Sequence, residues 1–334
     1  MTNNSSDDAD EFYTNKAWTV PYLFFLLIFG TIGNLCGLIL FVNLSMRKYS
    51  CSLYFFLMYL CDEISLCSWI INRLSRELST TAIRDRSDLL CVLYAVSFFN
   101  SSQASVGMLV LAMIDRLYTS FKLARGVFDT RLFVRGRKFQ YICIAGLFSV
   151  LLPVNMMLFG SRLDVSPPDT TPSCVIVNDQ INQIYSIIDL LFYAIIPFTC
   201  TSIGDVLILH YLNQTRSRLQ SIHIRSKHHE RQLCFMFVIA SIISFFIVTP
   251  YSTLTLLINT TDLGDRYPRT MYTLNDIFSL FSTLTHAMHF YLFLIISSTI
   301  RNEFMEFIIL CRRHLKRRKT TVRPALVQTR DTHS

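Results

Sequence analysis

The stretch LLCVLYAVSFFNSSQASVGMLVLAMIDR, residues 89–116, decides how the chain folds. Its first 26 residues carry no formal charge, and an acid and a base, Asp115 and Arg116, then follow side by side. A helix of about 20 mostly apolar residues spans the hydrocarbon core of a bilayer. The stretch therefore predicts a membrane-spanning helix that ends at a membrane surface.

The same pattern recurs along the chain, which has 334 residues, of which 51% are hydrophobic and only 16% charged. Backbone groups in lipid must be hydrogen-bonded within the chain, and these runs are too long and too evenly apolar for barrel strands, so we expect helices. The predicted fold is all-α, a seven-transmembrane helix bundle. Its predicted spans are 21–42, 53–71, 89–114, 139–159, 184–212, 233–259 and 277–300.

The distribution of basic residues predicts the orientation of this bundle. If the N-terminus lies outside, the cytoplasmic segments hold 23 of the 31 Lys and Arg residues, as the positive-inside rule requires. We therefore expect a multi-pass plasma-membrane protein with a lipid bilayer, not nucleic acid, as partner of its basic segments. Its predicted parts are an extracellular tail (1–17), the seven-helix domain (18–299), an amphipathic helix (300–311) and a basic cytoplasmic tail (312–334).

Short motifs suggest covalent modification on both sides of the membrane. Asn3, Asn4 and Asn259 begin N-x-S/T triplets at places predicted to lie outside, so they are candidate glycosylation sites. Cys311 follows an amphipathic stretch among basic residues. It is either a palmitoylation site or an unmodified thiol.

Two of the ten cysteines stand apart from those within the predicted helices. Cys91 lies at the outer start of the third helix, and Cys174 lies in the outer loop 160–183. Both face an oxidising compartment, so a disulfide between them is expected, and it would hold the loop over the bundle. Arg116 follows Cys91 by 25 residues. Because a helix rises about 1.5 Å per residue, the two residues lie near opposite membrane surfaces.

This third helix resembles that of the rhodopsin-like G-protein-coupled receptors, which runs from a disulfide cysteine to an Asp/Glu-Arg-Tyr triplet; here the triplet is Asp115-Arg116-Leu117. The resemblance covers about residues 18–310. It implies a receptor, most similar to the peptide receptors of that family, that binds an extracellular ligand and activates a heterotrimeric G protein. Further matches are Gly33-Asn34, Leu60-Cys61-Asp62, Ser105, the kink prolines Pro197 and Pro250, and the amphipathic segment 300–310.

The chain also departs from the pattern of that family. Asp62 and Ser105 match its sodium site, but Thr285 and His289 stand where it has asparagines. Val248 stands where a switch tryptophan is usual in the sixth helix. The resemblance thus implies a sodium-site-like cluster with an altered set of ligands.

The resemblance also implies a conformational switch at the cytoplasmic ends of the helices. Glu230 lies where some family members carry a glutamate that pairs with the arginine of the triplet, so Arg116 and Glu230 would hold two helices together. Asp205 lies where a tyrosine is common in the fifth helix, and we include it with Asp115 in the predicted switch. The alternative is that Arg116 only reaches to water beside Asp115.

Two carboxylates near the outer ends of the helices, Asp189 and Asp276, are candidates for ligand contacts. Ionisable groups in spanning helices are costly and often mark function. Asp189 and Asp276 are either capped, water-exposed groups or a pair of anionic contacts for a cationic ligand. The other candidate pocket residues are Phe98, Gln103, Tyr251 and Thr255.

The resemblance narrows the class of ligand. Phe98 stands where amine receptors carry an aspartate, and Thr283 stands where opsins carry the retinal-binding lysine, so neither class is expected. The acidic outer segments favour a basic neuropeptide, such as one with an arginine near an amidated end. A chemosensory small molecule is the alternative.

Other classes of protein fit the sequence less well. A transporter would use the buried carboxylates as a relay, but inverted repeats and broken helices are not apparent. The sequence contains no nucleotide loop, zinc-ligand spacing or nucleophile elbow, so we expect neither an enzyme nor a cofactor or metal site. A divergent receptor that no longer signals remains an alternative.

Overall fold

The computed structural model describes residues 4–42, 51–79, 81–124, 140–151, 174, 179–218 and 224–322. These residues form eight helices and, besides them, two short helical turns at Ile83–Arg86 and Leu263–Arg266; no strand occurs among them. The first four helices are α1 (Asn4–Val42), α2 (Ser52–Ser79), α3 (Asp88–Ala124) and α4 (Gln140–Leu151). The others are α5 (Asp179–Asp189, Leu190–Ile195 and Ile196–Arg218), α6 (Ile224–Thr260), α7 (Pro268–Ile296) and α8 (Ser298–Val322).

Six of these helices are long and apolar enough to cross a membrane, and they confirm six of the seven predicted spans. The membrane-capable segments are Trp18–Val42, Ser52–Ser79, Asp88–Phe121, Gln180–Tyr211, Phe235–Thr260 and Pro268–Ile296. In the region of the fourth predicted span the structure describes only the shorter apolar helix α4. The fourth span, 139–159, therefore stays a prediction.

Glycines on one side of α1 let it approach two neighbouring helices closely. A Cβ atom on Gly33 would lie 2.8 Å from the ring of Tyr291 on α7, and one on Gly37 would lie 2.7 Å from the ring of Tyr59 on α2. Small residues at helix interfaces allow such approach where lipid supplies no hydrophobic driving force. The Gly33-Asn34 pair thus has a packing role in this bundle.

The α5 helix contains a π-helical turn, Leu190–Ile195, directly before Pro197. Proline lacks an N–H group and its ring clashes with the carbonyl four residues earlier. The N–H of Ile196 bonds to the carbonyl of Leu191, five residues back, so the wider turn relieves this crowding. Because the turn holds an extra residue, it changes the direction in which the preceding side chains point. Pro250, the other predicted kink proline, lies inside α6.

A disulfide joins Cys91 at the start of α3 to Cys174, whose Cα atoms lie 5.6 Å apart. The N–H of Cys174 also donates to the carboxylate of Asp85 at 2.8 Å. The loop residue is thus held at two points. We call this end of the bundle the disulfide end, and the opposite end, where Arg116 lies, the arginine end.

Aromatic rings pack the half of the bundle nearer the arginine end. Phe55 of α2 stacks on Phe237 of α6 with ring centroids 5.6 Å apart and meets Phe293 of α7 edge-on at 5.3 Å. Tyr59 also meets Phe293 edge-on. All four side chains are fully buried, so this cluster joins α2, α6 and α7.

Candidate functional site

A cavity lies between α3, α5, α6 and α7 in the half of the bundle nearer the disulfide end. Its empty space amounts to about 360 Å³, a figure that includes open solvent. Its walls combine aromatic rings, hydroxyl groups and one carboxylate. The lining residues are Phe98, Phe99, Ser102, Gln103, Asp189, Tyr193, Tyr251, Ser282, Thr283 and His286.

The structure places four of the six predicted pocket residues at this cavity. Phe98 and Gln103 reach it from α3, Asp189 from α5 and Tyr251 from α6. Four residues from three different helices therefore meet at one cavity, and their contact with a ligand stays a prediction. Thr255 is not among the lining residues, and its hydroxyl donates to the side-chain oxygen of Asn275 at 3.0 Å.

Asp276, the sixth predicted pocket residue, lies away from the cavity in a network of charges. Both guanidinium NH₂ groups of Arg73 donate to its carboxylate, at 2.9 and 3.2 Å, and Arg76 lies 3.8 Å away. Glu77 pairs with Arg73 on the other side at 3.1 Å. The carboxylate of Asp276 is thus already neutralised, although half of its side chain is exposed. A role in ligand binding stays a prediction.

Asp189 is the only carboxylate among the residues that line the cavity. The hydroxyl of Ser252 on α6 donates to it at 3.1 Å. Among the described residues, no Lys or Arg forms a salt bridge with Asp189. Its donors in the described part of the chain, Ser252 and Gln103, are both neutral, so a cationic ligand would supply the partner of opposite charge that offsets the cost of burial.

Several aromatic rings line the cavity together with Asp189 or pack behind its lining. Phe98 meets Phe99 edge-on at 4.9 Å, and Phe99 meets Tyr185 edge-on at 5.5 Å. Tyr193 and Tyr251 complete the aromatic lining. Aromatic faces attract organic cations, and this attraction is strongest where water is excluded. The chemistry of the cavity therefore favours a cation with apolar substituents.

Below the cavity, Asp62 is fully buried and receives hydrogen bonds from two helices. The Nδ1 atoms of His286 and His289 on α7 lie 2.7 and 2.8 Å from its two carboxylate oxygens. The hydroxyl of Ser105 on α3 donates at 2.5 Å. The two histidines are three residues apart, so they lie on one face of α7. One carboxylate thus links α2, α3 and α7.

His286 also reaches the cavity, where its Nε2 atom lies 2.9 Å from the hydroxyl of Tyr193. An ionised carboxylate can only accept hydrogen bonds, so Nδ1 of His286 carries a proton toward Asp62. In the neutral ring, Nε2 then accepts a hydrogen bond from Tyr193. Both ring nitrogens of His286 are therefore hydrogen-bonded, Nδ1 to Asp62 and Nε2 to Tyr193.

The residues around Asp62 do not fit the sodium ion that the resemblance implies. A hard cation requires oxygen ligands, but both oxygens of Asp62 already accept N–H groups from His286 and His289. The positive ends of these N–H groups point to where a cation would sit. Thr285 is buried, and its hydroxyl has no hydrogen-bond partner within the described part of the chain.

The predicted switch lies at the arginine end. Asp115 and Arg116 are both buried, and an NH₂ group of Arg116 lies 3.1 Å from the sulfur of Cys51. Asp205 is 2% exposed, and neither of its carboxylate oxygens has a hydrogen-bond partner among the described residues. The side chain of Glu230 lies outside the described residues, so its pairing with Arg116 stays a prediction.

Close packing between α3 and α5 sets the position of Asp205. A Cβ atom on Gly204 would overlap the sulfur of Met113, and Met113 packs with Ile208 in a buried cluster. Asp205 follows Gly204, and Arg116 follows Met113 by one helical turn. Because both helices run from the disulfide end to the arginine end, Asp205 lies on α5 within about one turn of the level of Arg116.

The predicted modification sites are only partly described. Asn3 lies outside the described residues, as do the side chains of Asn4 and Cys311. The amide of Asn259, at the end of α6, donates to the hydroxyl of Ser186 on α5 at 2.7 Å. Glycosylation and palmitoylation stay predictions.

Sequence reasoning assigned no role to Glu63, which has a defined place in the structure. Its carboxylate accepts hydrogen bonds from Thr31 at 2.8 Å and from Asn34 at 3.0 Å, both on α1. The adjacent Asp62 points to α7 instead, since neighbouring helical positions differ by about 100°. Two successive acids therefore hold two different helices, and the only sequence signal was their adjacency.

Residues 169–311 match a family model described as "Serpentine type 7TM GPCR chemoreceptor Srw". The match begins in the loop that carries Cys174 and extends through α5, α6 and α7, somewhat less than half of the chain. No curated protein matches the chain. Together with the six apolar helices, the match supports a multi-pass G-protein-coupled receptor. It does not select the rhodopsin-like peptide receptors, and it favours the chemosensory alternative.

The hydrogen bonds at Asp62 predict that the folded protein does not respond to sodium. The purified protein should unfold at the same temperature in NaCl and in KCl, each at about 0.15 M, because a ligand stabilises only a state that binds it. Differential scanning fluorimetry measures both. A higher melting temperature in NaCl that disappears in the Asp62→Asn variant would contradict this account.

Proposed function

We propose that this protein is a rhodopsin-like G-protein-coupled receptor of the plasma membrane, with its disulfide end outside the cell. An extracellular ligand binds in the cavity, and a heterotrimeric G protein binds at the arginine end of α3, α5 and α6. The cavity, which combines aromatic walls with the carboxylate of Asp189, carries this proposal. The family match and the excess of Lys and Arg in the predicted cytoplasmic segments support it.

The ligand that fits this cavity is a small organic cation, so we place the receptor among chemosensory receptors. Asp189 supplies the negative charge, and Phe98, Phe99 and Tyr251 supply the aromatic surface. The third helix contributes no carboxylate to the cavity lining. The cation is therefore held from α5, and its apolar part extends toward α3 and α6.

A basic neuropeptide is the second candidate, and the exposed charges at the disulfide end favour it. Asp276 is half exposed in the first turns of α7, where an arginine of a peptide could displace Arg76, its more distant partner. Such a ligand would contact both Asp276 at the rim and Asp189 in the cavity. A small cation would contact Asp189 alone.

Replacement of Asp189 by Asn should weaken the response to organic cations. We expect the concentration for half-maximal G-protein activation to rise about 10-fold to 100-fold, since a hydrogen bond to a charged group contributes about 1.5–3 kcal/mol. The measurement is G-protein activation in cells exposed to a panel of primary amines and quaternary ammonium compounds. Surface expression is measured in parallel.

The Asp276→Asn variant is the matched control for this experiment. It removes a carboxylate near the same end of the bundle, so an unchanged response would support the small cation. A loss of response to amidated basic peptides in both variants would favour the neuropeptide. If a compound activates the receptor and Asp189→Asn responds equally well, the proposed binding site is wrong.

For the switch, we propose that Asp205 becomes a partner of Arg116 when the receptor is activated. In the present conformation Asp205 is a buried carboxylate whose oxygens have no partner in the described part of the chain. Such a charge is costly, and a charged partner on a facing helix would offset that cost. The α5 helix would then move relative to α3 at the surface that receives the G protein.

Replacement of Asp205 by Asn should therefore stabilise the ligand-free protein and weaken its signalling. Removal of a buried charge without a partner should raise the melting temperature by a few degrees, since 1 kcal/mol corresponds to about 2–4 °C in a chain of 150–250 residues and to less in a longer chain. The measurements are thermal unfolding of the purified receptor and G-protein activation in cells.

Asp62→Asn is the matched control, because Asp62 is equally buried but fully hydrogen-bonded. The Asp62→Asn substitution should lower the melting temperature of the protein, because it removes a carboxylate that is fully hydrogen-bonded. A lower melting temperature for Asp205→Asn, or full signalling by that variant, would contradict the proposed pairing with Arg116.

A further inference from the structure

A continuous set of hydrogen bonds leads from the cavity to the centre of the bundle. The hydroxyl of Tyr193 lies 2.9 Å from His286, which lies 2.7 Å from Asp62, and Asp62 lies 2.8 Å from His289. His286, Asp62 and His289 are 2%, 0% and 3% exposed, so water does not compete with these bonds. The path joins α5, α7 and α2.

The path continues from His289 into the aromatic cluster. The ring centroids of His289 and Phe293 are 6.1 Å apart, and Phe293 meets Phe55 edge-on. Phe55 in turn stacks on Phe237 of α6. Tyr193, in the wall of the cavity, is thus connected through successive contacts to α6 in the half of the bundle nearer the arginine end.

Tyr193 is the point at which a bound molecule meets this path. Its side chain lines the cavity, and it lies inside the π-helical turn that precedes Pro197. A ligand that contacts the hydroxyl of Tyr193 competes with its hydrogen bond to Nε2 of His286. His286 then loses one of its two partners and keeps only Asp62.

We propose that His286 is a positioning residue that transmits occupancy of the cavity, through Asp62 and His289, to the packing of Phe293 against α2 and α6. The proposal rests on the proposed function, because it takes the cavity as the ligand site. Its distinctive claim is that both nitrogens of His286 act together. A structural anchor would need only the bond between Nδ1 and Asp62.

Two substitutions of His286 separate these possibilities. The amide nitrogen of asparagine takes the place of Nδ1, so His286→Asn retains a donor to Asp62 and loses the hydrogen bond to Tyr193. The amide of glutamine reaches as far as Nε2, so His286→Gln retains a partner for Tyr193 and loses the hydrogen bond to Asp62. Tyr193→Phe removes only the hydroxyl group.

The experiment is amide hydrogen exchange of the purified receptor, which requires neither a ligand nor a G protein. Tyr193→Phe and both His286 variants should each increase exchange at 289–293 and 236–240 about fivefold, since a lost hydrogen bond changes the opening equilibrium by about this factor. The double variant Tyr193→Phe/His286→Asn should exchange no faster than either single variant. Such non-additivity is the mark of residues that act through one another.

Tyr291→Phe is the matched control, because the hydroxyl of Tyr291 joins α7 to the carbonyl of Phe29 on α1 at 2.8 Å, outside the path. Its effect should add to that of His286→Asn. If His286→Asn and Tyr193→Phe leave exchange at 289–293 unchanged while His286→Gln increases it, His286 is only an anchor for Asp62 and the proposal is wrong. If the exchange results hold but no ligand activates the receptor, the proposed function fails and the path remains.

Discussion

The carboxylate of Asp62 is the group on which the rest of the structure depends. It is completely buried, and three donors from two other helices satisfy it, namely His286, His289 and Ser105. A buried charge without partners would destabilise the bundle by several kcal/mol, so these donors fix the rotation of α7 and α3 relative to α2. The rotation of α7 then places His286 at the floor of the cavity and Phe293 in the aromatic cluster.

The acidic residues of the spanning helices fall into two groups according to their partners. Asp62, Glu63 and Asp276 each accept two or more hydrogen bonds or ion pairs. Asp62 and Asp276 join helices that are distant in sequence, and Glu63 joins the consecutive helices α1 and α2. Asp189 accepts hydrogen bonds from two neutral donors on other helices, Ser252 and Gln103, and the oxygens of Asp205 have no partner among the described residues. The first group accounts for assembly of the bundle. The second group lies at the two places where we propose that the receptor responds to other molecules.

Local patterns in the sequence were sufficient for the helices and for part of the site. Apolar runs predicted six spanning helices that the structure contains, and four of the candidate pocket residues, two of them placed by their spacing from Cys91 and Pro197, lie at the cavity. The partners of charged groups could not be predicted, because they depend on contacts between distant segments. Asp276 pairs with Arg73, 203 residues earlier, and Asp62 pairs with His286, 224 residues later. His286 could have been noticed as one helical turn before His289, but nothing local shows that both rings turn toward Asp62.

The account depends most on the claim that both histidines donate to Asp62 from Nδ1. Nitrogen NMR of receptor labelled with ¹⁵N-histidine measures the protonation of each ring nitrogen directly, and His286→Asn and His289→Asn variants assign the two signals. We expect a protonated Nδ1 and an unprotonated Nε2 for His286, and a protonated Nδ1 for His289, with both signals shifted in Asp62→Asn. A protonated Nε2 with an unprotonated Nδ1 in either residue would mean that it does not donate to Asp62, and would contradict the account.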